Sequence, residues 1–181
     1  MAIAPPGTVA SGMRFEPDHH FRIPTEVRAS TIEGAGQGVF SRAPVPAGRF
    51  VGMDFPKSKW LVPREALDEL PVEHRKYAWR HVEEVYFATE GDVPLSPADH
   101  LNHSFEPNLL LHVGCYFTLR DIAAGDELFV DYRYLRGPTN GPLRDNTTGR
   151  LIEGFPWREA LRRSCRSLLA LLDADEDASG R

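Results

Sequence analysis

Short apolar runs bounded by Gly and Pro occupy most of the chain, and a helical interval takes over near its end. Val27 to Ile32 reads as a strand, and Val39-Phe40 and Arg49 to Phe55 read as strands on either side of a turn marked by Pro44, Pro46 and Gly48. Between Pro63 and Glu84 the spacing changes, since Leu67, Leu70, Tyr77 and His81 recur at helical intervals among charges, which predicts short helices. Val85 to Ala88 returns to strand. Leu109 to Val113 and Tyr116 to Leu119 predict a hairpin turning at Gly114, Glu127 to Tyr132 predicts a last strand, and a loop rich in Gly, Pro and Asn runs through Gly154. Pro156 then suits the first turn of an amphipathic helix, with Trp157, Leu161, Cys165, Leu168 and Leu172 on one face and Arg158, Arg162, Arg163 and Arg166 on the other. Many short strands and few helices predict a mostly β, α+β domain.

Length bounds the organisation. With 181 residues the chain can bury one substantial core, and 41% hydrophobic residues is an ordinary share for a globular protein. Residues 1–24, rich in Pro, Gly and small side chains without a period, are expected to be a flexible arm. The acidic segment 174–181 is expected to be a disordered tail.

A net charge of -5 argues against a surface built for nucleic-acid phosphates and is compatible with a basic protein partner. The arginine face of the last helix reads as solvated, because acidic residues follow it directly. Cys115 and Cys165 are too few for a disulfide framework or a zinc cluster, which points to a reducing compartment. No basic leader with an apolar core precedes the domain and no apolar run reaches the ~18 residues of a membrane span. The expected location is therefore cytoplasmic, with a nuclear pool open to a eukaryotic protein.

Three segments carry the candidate chemistry. Gly34-Ala35-Gly36-Gln37-Gly38 is a glycine loop, but Pro44 and Pro46 fall where a dinucleotide-binding helix would follow, and no phosphate-loop lysine is present. What remains is a loop whose backbone can approach a ligand closely. Asn102-His103-Ser104-Phe105-Glu106-Pro107-Asn108 and Gly125-Asp126-Glu127-Leu128-Phe129-Val130-Asp131-Tyr132 are the other two. His100 and His103 lie three apart, yet no HExxH helix frames them and a metal site is not expected.

In this order the three segments resemble the signature of the SET-domain protein-lysine methyltransferases, over roughly Glu26 to Tyr134. The resemblance implies a SET-type β-clip fold with a pseudoknot, in which the Asn-His-Ser segment threads a loop closed by the Asp-Tyr strand. It assigns a SET domain to residues 25–135, a helical insertion at about Pro63 to Glu84, and a loop and amphipathic helix packed on the core at 136–173. It also implies S-adenosylmethionine (AdoMet) as cofactor, with S-adenosylhomocysteine as product and a lysine-bearing protein or peptide as substrate. Nucleic acid and membrane are not expected partners. Gly36, Gln37 and Gly38 would cradle the methionine portion, Asn102 would meet its zwitterionic end and His103 would offer backbone groups to adenine.

Tyr132 matches the family's catalytic tyrosine and would also border the cofactor. Tyr134 would point to the same side if the strand continues, and Phe55, Leu111 and Tyr134 would form the substrate channel. Glu127 and Asp131 are expected to be structural partners rather than bases. Many family members carry Cys after Asn-His-Ser and a zinc-bearing cysteine cluster, whereas this chain has Phe105 and no cluster. Phe155, Trp157 and the last helix are then the expected cover, with Trp157 stacked on adenine. A channel short of tyrosines leaves two other functions open: a catalytically inactive SET module that acts as a protein-interaction domain, and a methyltransferase for a small amine.

Overall fold

A computed structural model describes residues 20–53, 59–71, 78–83, 85–89, 96–137 and 142–179. Three small sheets make the body. The first joins β1 (Thr25–Ala29), β2 (Gln37–Ser41), β10 (Glu127–Val130) and β7 (Asn102–His103) in the order β1-β2-β10-β7. Within it β10 runs antiparallel to β2 and parallel to β7, so one short strand joins the glycine loop to the Asn-His-Ser segment.

The second sheet is β3 (Phe50–Met53), β9 (Cys115–Thr118) and β8 (Leu109–His112). Its β8–β9 hairpin turns at Val113-Gly114, as the sequence predicts, and both turn residues have positive φ, 47° and 80°. Val39, Val51, Leu101, Leu109, Ile122, Leu128 and Val130 form the main core between these sheets.

The third sheet corrects an expectation. Among the described residues of 63–84, α1 (Arg64–Leu67) is a short helix as expected, but β5 (Trp79–Val82) pairs with β6 (Val85–Thr89) and β4 (Lys59–Pro63) in an antiparallel sheet; residues 72–77 and 84 lie outside the described residues. Val62, Leu67 and fully buried Tyr86 form a second small core with Leu70 packed against it, which anchors α1 on this sheet. His81 lies on β5, and Tyr77 falls outside the described residues.

Packing begins earlier, and the last helix runs further, than expected. His20 and Phe21 are buried, Phe21 bridges to Gly52, and its ring stacks on Tyr116 with centroids 5.8 Å apart. Packing therefore begins by residue 20 rather than 25. The last helix, α2 (Trp157–Ser179), continues through most of the segment expected to be a disordered tail. Its docked stripe is also rotated from the predicted one, since Ala160 and Ser164 are buried while Leu172 is exposed. No helix among the described residues is long and apolar enough to cross a membrane.

Candidate functional site

One cleft of about 210 Å³ collects residues from three distant parts of the chain: Gly34 and Ala35, then Asn102, His103 and Tyr132, then Leu143, Arg144, Asp145, Asn146 and Ile152. The sheet explains the first two groups. Asn102 and His103 pair in parallel with Phe129 and Val130, and Tyr132 follows directly on β10. Buried Asn108 fixes the same strand from its other side, donating to the Glu127 carbonyl and accepting from the Phe129 amide, each at 2.7 Å.

Tyr132 is pinned at both ends. Its amide donates to His103 Nδ1 at 3.1 Å and its hydroxyl donates to the Leu101 carbonyl at 2.7 Å. Burial pushes the phenol up to about 12, so it stays protonated at neutral pH and offers only oxygen lone pairs to a ligand. Because His103 Nδ1 accepts, the neutral ring carries its proton on Nε2, which is buried without a partner among the described residues. Burial lowers the His103 pKa, against the opposing pull of Asp131 and Asp145, and the imidazole is a neutral strut for Tyr132 rather than a base.

Backbone geometry leaves one edge open. The Ser104 amide donates to the Val130 carbonyl at 3.0 Å, and since successive strand amides alternate in direction, the His103 amide and carbonyl turn away from β10. β7 is the outer strand of its sheet, so that donor–acceptor pair faces outward.

The glycine loop contributes differently from expectation. The wall of the cleft is Gly34 and Ala35, whereas Gly36, Gln37 and Gly38 stand behind it. The Gly36 carbonyl accepts from the Ser30 amide at 2.9 Å, and the Gln37 carbonyl accepts from Asn102 at 2.9 Å. Gly38 is required by space: a β-carbon there would collide with the Glu127 carboxylate and lie 3.2 Å from Asn102 Nδ2.

Two expected positions move. Trp157 does not line the cleft; it lies in a second, narrower hollow with Leu111 and Tyr134, its ring 5.9 Å from the Arg80 guanidinium. Residues 132–134 form a 3₁₀ turn rather than strand, so Tyr134 does not share the direction of Tyr132. Instead the Tyr134 ring meets Phe155 edge-on at 5.3 Å. Phe55 falls outside the described residues.

The cover is the loop around residues 143–152, within the segment expected to pack on the core, rather than Phe155, Trp157 and the last helix. A bridge between Arg144 and Leu151 closes it, and buried Asp145 accepts from the Thr148 amide at 2.6 Å and from the Thr148 hydroxyl. Asp145-Asn146-Thr147-Thr148-Gly149 is turn chemistry that could have marked an ordered loop. Burial raises the Asp145 pKa, but the hydrogen bonds from the Thr148 side chain and backbone outweigh it and hold the carboxyl below its ordinary range.

A ladder of arginines and phenylalanines ties this cover to the core. Arg150 and Arg133 lie 4.0 and 5.0 Å from the Phe105 ring centre, and Arg133 and Arg163 lie 4.8 and 4.5 Å from that of Phe155. Asp131 grips Arg133 through Nε and Nη2 at 2.6–2.9 Å. Phe105, where many family members have cysteine, thus occupies the centre of an all-side-chain clasp.

Residues 36–133 match the family model of the SET domain, more than half of the chain. The chain belongs to the SET-domain family. A search of curated proteins finds no match. Among solved structures, the SET chain resembles an active polycomb repressive complex 2 in the basal state (TM-score 0.45, 20% identity, covering 74% of this chain and 20% of that one). It also resembles the Chaetomium thermophilum Polycomb Repressive Complex 2 bound to GSK126 (TM-score 0.46, 18% identity, 83% of this chain and 24% of that one). This SET chain therefore spans about a fifth to a quarter of the length of those chains. Its fold is that of a family whose members are generally protein-lysine methyltransferases.

Proposed function

We propose that this SET domain transfers a methyl group from AdoMet to the side-chain amine of a lysine in a protein or peptide. The observation that carries the reading is the convergence, in one cleft, of a glycine-loop wall, the outward backbone edge of His103, the Asn102 amide and the buried Tyr132 hydroxyl. The cleft suits the group: Ile32, Ala35, Leu143 and Ile152 supply apolar walls, and the His103 edge offers the donor–acceptor pair that an adenine requires. Asn102 would hold the amino-acid end. AdoMet supplies a sulfonium-borne methyl for direct displacement.

The chain's own groups must then present a neutral amine in line. Free lysine has a pKa near ~10.4, so the neutral form costs about 4 kcal/mol at neutral pH. Neither side chain beside the reacting centre removes that proton. Tyr132 is itself protonated, and the acceptor nitrogen of His103 is occupied by the Tyr132 amide. Deprotonation is left to desolvation of the lysine in a narrow apolar passage beside a positive charge. The Tyr132 lone pairs, aimed by the bond to Leu101, orient the amine and its incoming methyl.

Leu111 and Tyr134 line the second hollow and form the proposed lysine side of the site, with Phe55 assigned there from the sequence alone. The substrate protein is selected by surfaces outside this centre. Incubating the purified protein with isotope-labelled AdoMet and a cell lysate or lysine peptide array, followed by mass spectrometry, tests the reading. Labelled methyl groups on lysine side chains are expected; AdoMet binding without transfer would make the chain a non-catalytic interaction module, and label confined to small amines would move the substrate class.

A further inference from the structure

Glu127 is a buried carboxylate that the methyl-transfer chemistry leaves without a task. It opens β10 and accepts from Ser30 Oγ at 2.8 Å, the Thr31 amide at 2.7 Å, the Thr31 hydroxyl and Asn102 Nδ2 at 2.9 Å. It also presses on the α-carbon of Gly38, which tolerates no side chain for that reason. Four residues around the rear of the cofactor cleft, Ser30, Thr31, Gly38 and Asn102, are therefore organised on one carboxylate.

The two ends of a side-chain amide are told apart only by their partners. Here the partners decide. The Glu127 carboxylate and the Gln37 carbonyl are acceptors only, so the Asn102 atom that meets both must be the nitrogen. That nitrogen has two hydrogens, and these partners consume them, with Ser30 Oγ a further neighbour at 3.1 Å. Asn102 lines the cleft, and the polar atom it has left is Oδ1.

We infer that Glu127 is the positioning residue that makes Asn102 an acceptor toward the cleft, and that it thereby selects a ligand whose end carries an ammonium group. The inference rests on the AdoMet reading and sharpens it: Asn102 recognises the α-ammonium of the methionine portion, not its carboxylate. Glu127 also places a negative charge directly behind the amide, which favours a cationic group in front of it. A glutamine at the same place fills the same volume but sets its own NH₂ or carbonyl against Asn102. The amide then has no single preferred face, and the acceptor is no longer fixed.

Calorimetry with S-adenosylhomocysteine, its desamino analogue and its descarboxy analogue tests this on the wild type and Glu127→Gln, with circular dichroism as the folding control. In the wild type, loss of the amine should weaken binding roughly ten- to hundred-fold, the worth of one hydrogen bond to a charged group, and more than loss of the carboxylate does. Glu127→Gln should weaken S-adenosylhomocysteine by a similar factor while leaving the desamino analogue within a few-fold, so that the preference collapses. A folded variant that keeps the wild-type preference overturns the inference. If the variant does not fold, the wild-type arm still decides, because equal affinity with and without the amine contradicts an acceptor-only Asn102. No binding of S-adenosylhomocysteine by the wild type would overturn the cofactor reading itself, and this inference with it.

Discussion

The Tyr132 hydroxyl donates to the carbonyl of Leu101 at 2.7 Å, joining the end of β10 to the residue that leads into Asn102. The bond leaves the phenol oxygen as a lone-pair donor at a fixed point and ties the two signature segments together outside the strand ladder. Tyr132→Phe removes this one partly buried hydrogen bond. Its expected cost is about 1 kcal/mol of unfolding free energy, with affinity for S-adenosylhomocysteine kept within a few-fold. Urea denaturation and calorimetry on the same preparations check both figures, and a large loss of binding would make Tyr132 a structural residue.

His103 sets an acid limit on stability. Its folded pKa lies below the ordinary value, chiefly because it is buried, so the unfolded chain takes up its proton first as pH falls. The contribution is complete above the unfolded pKa of ~6.5 and is lost as pH falls toward the lower folded pKa. His112, also lowered by burial and bonded through Nδ1 to Ser164 Oγ at 2.9 Å, acts in the same direction. Urea midpoints should therefore decline from pH 7.5 to 5, and His103→Asn, which retains an acceptor for the Tyr132 amide, should flatten that slope. An unchanged slope would assign the acid sensitivity elsewhere.

Phe105 and Phe155 share one arginine, and their substitutions should not add. Each ring flanks Arg133 and a second guanidinium, contacts worth about 0.5–2 kcal/mol apiece. Phe105→Leu and Phe155→Leu should each destabilise the protein and loosen the cover over the cleft, raising KM for AdoMet more than they lower kcat. A double-mutant cycle should show a coupling of at least ~0.5 kcal/mol. Strict additivity would mean that the ladder is not a unit.

Gly36 and Gly38 should fail for different reasons. Gly36 has φ of 78° with open space around its absent β-carbon, so Gly36→Ala meets only backbone strain. Gly38→Ala drives a methyl into the Glu127 carboxylate, an overpacking expected to cost about 1–3 kcal/mol and to displace Asn102. Thermal melts should rank Gly38→Ala below Gly36→Ala, and only Gly38→Ala should weaken S-adenosylhomocysteine by ten-fold or more, about 1.4 kcal/mol. The reverse order would contradict the account of the loop.

The segments that pair locally were legible in the sequence. Leu109 to Leu119 shows its hairpin as two apolar runs on either side of Gly114, and the motif at Asn102 and Tyr132 carries the family because its residues meet through short hydrogen bonds. Within residues 63–84 the helical spacing marks α1, where Leu67 lies, but it also takes in His81, which stands on β5, because periodicity over so few turns does not separate a short helix from a strand. The rest depends on contacts that spacing does not encode. Asp145 reaches the cleft through a turn held by Thr148, Trp157 is drawn to Arg80 instead, and Glu127 looks like any strand-end glutamate until Ser30, Thr31 and Asn102 close on it.

Methyl transfer by matched preparations of wild type and Tyr132→Phe is the most direct measurement of the central claim. With saturating labelled AdoMet and a protein substrate identified from lysate, the wild type should place label on lysine side chains. Tyr132→Phe should bind AdoMet comparably while its kcat falls about a hundred-fold, the ~3 kcal/mol of one preorganised polar group in the transition state. Equal turnover by the two proteins, or no labelled lysine from a wild type that binds AdoMet, would contradict it.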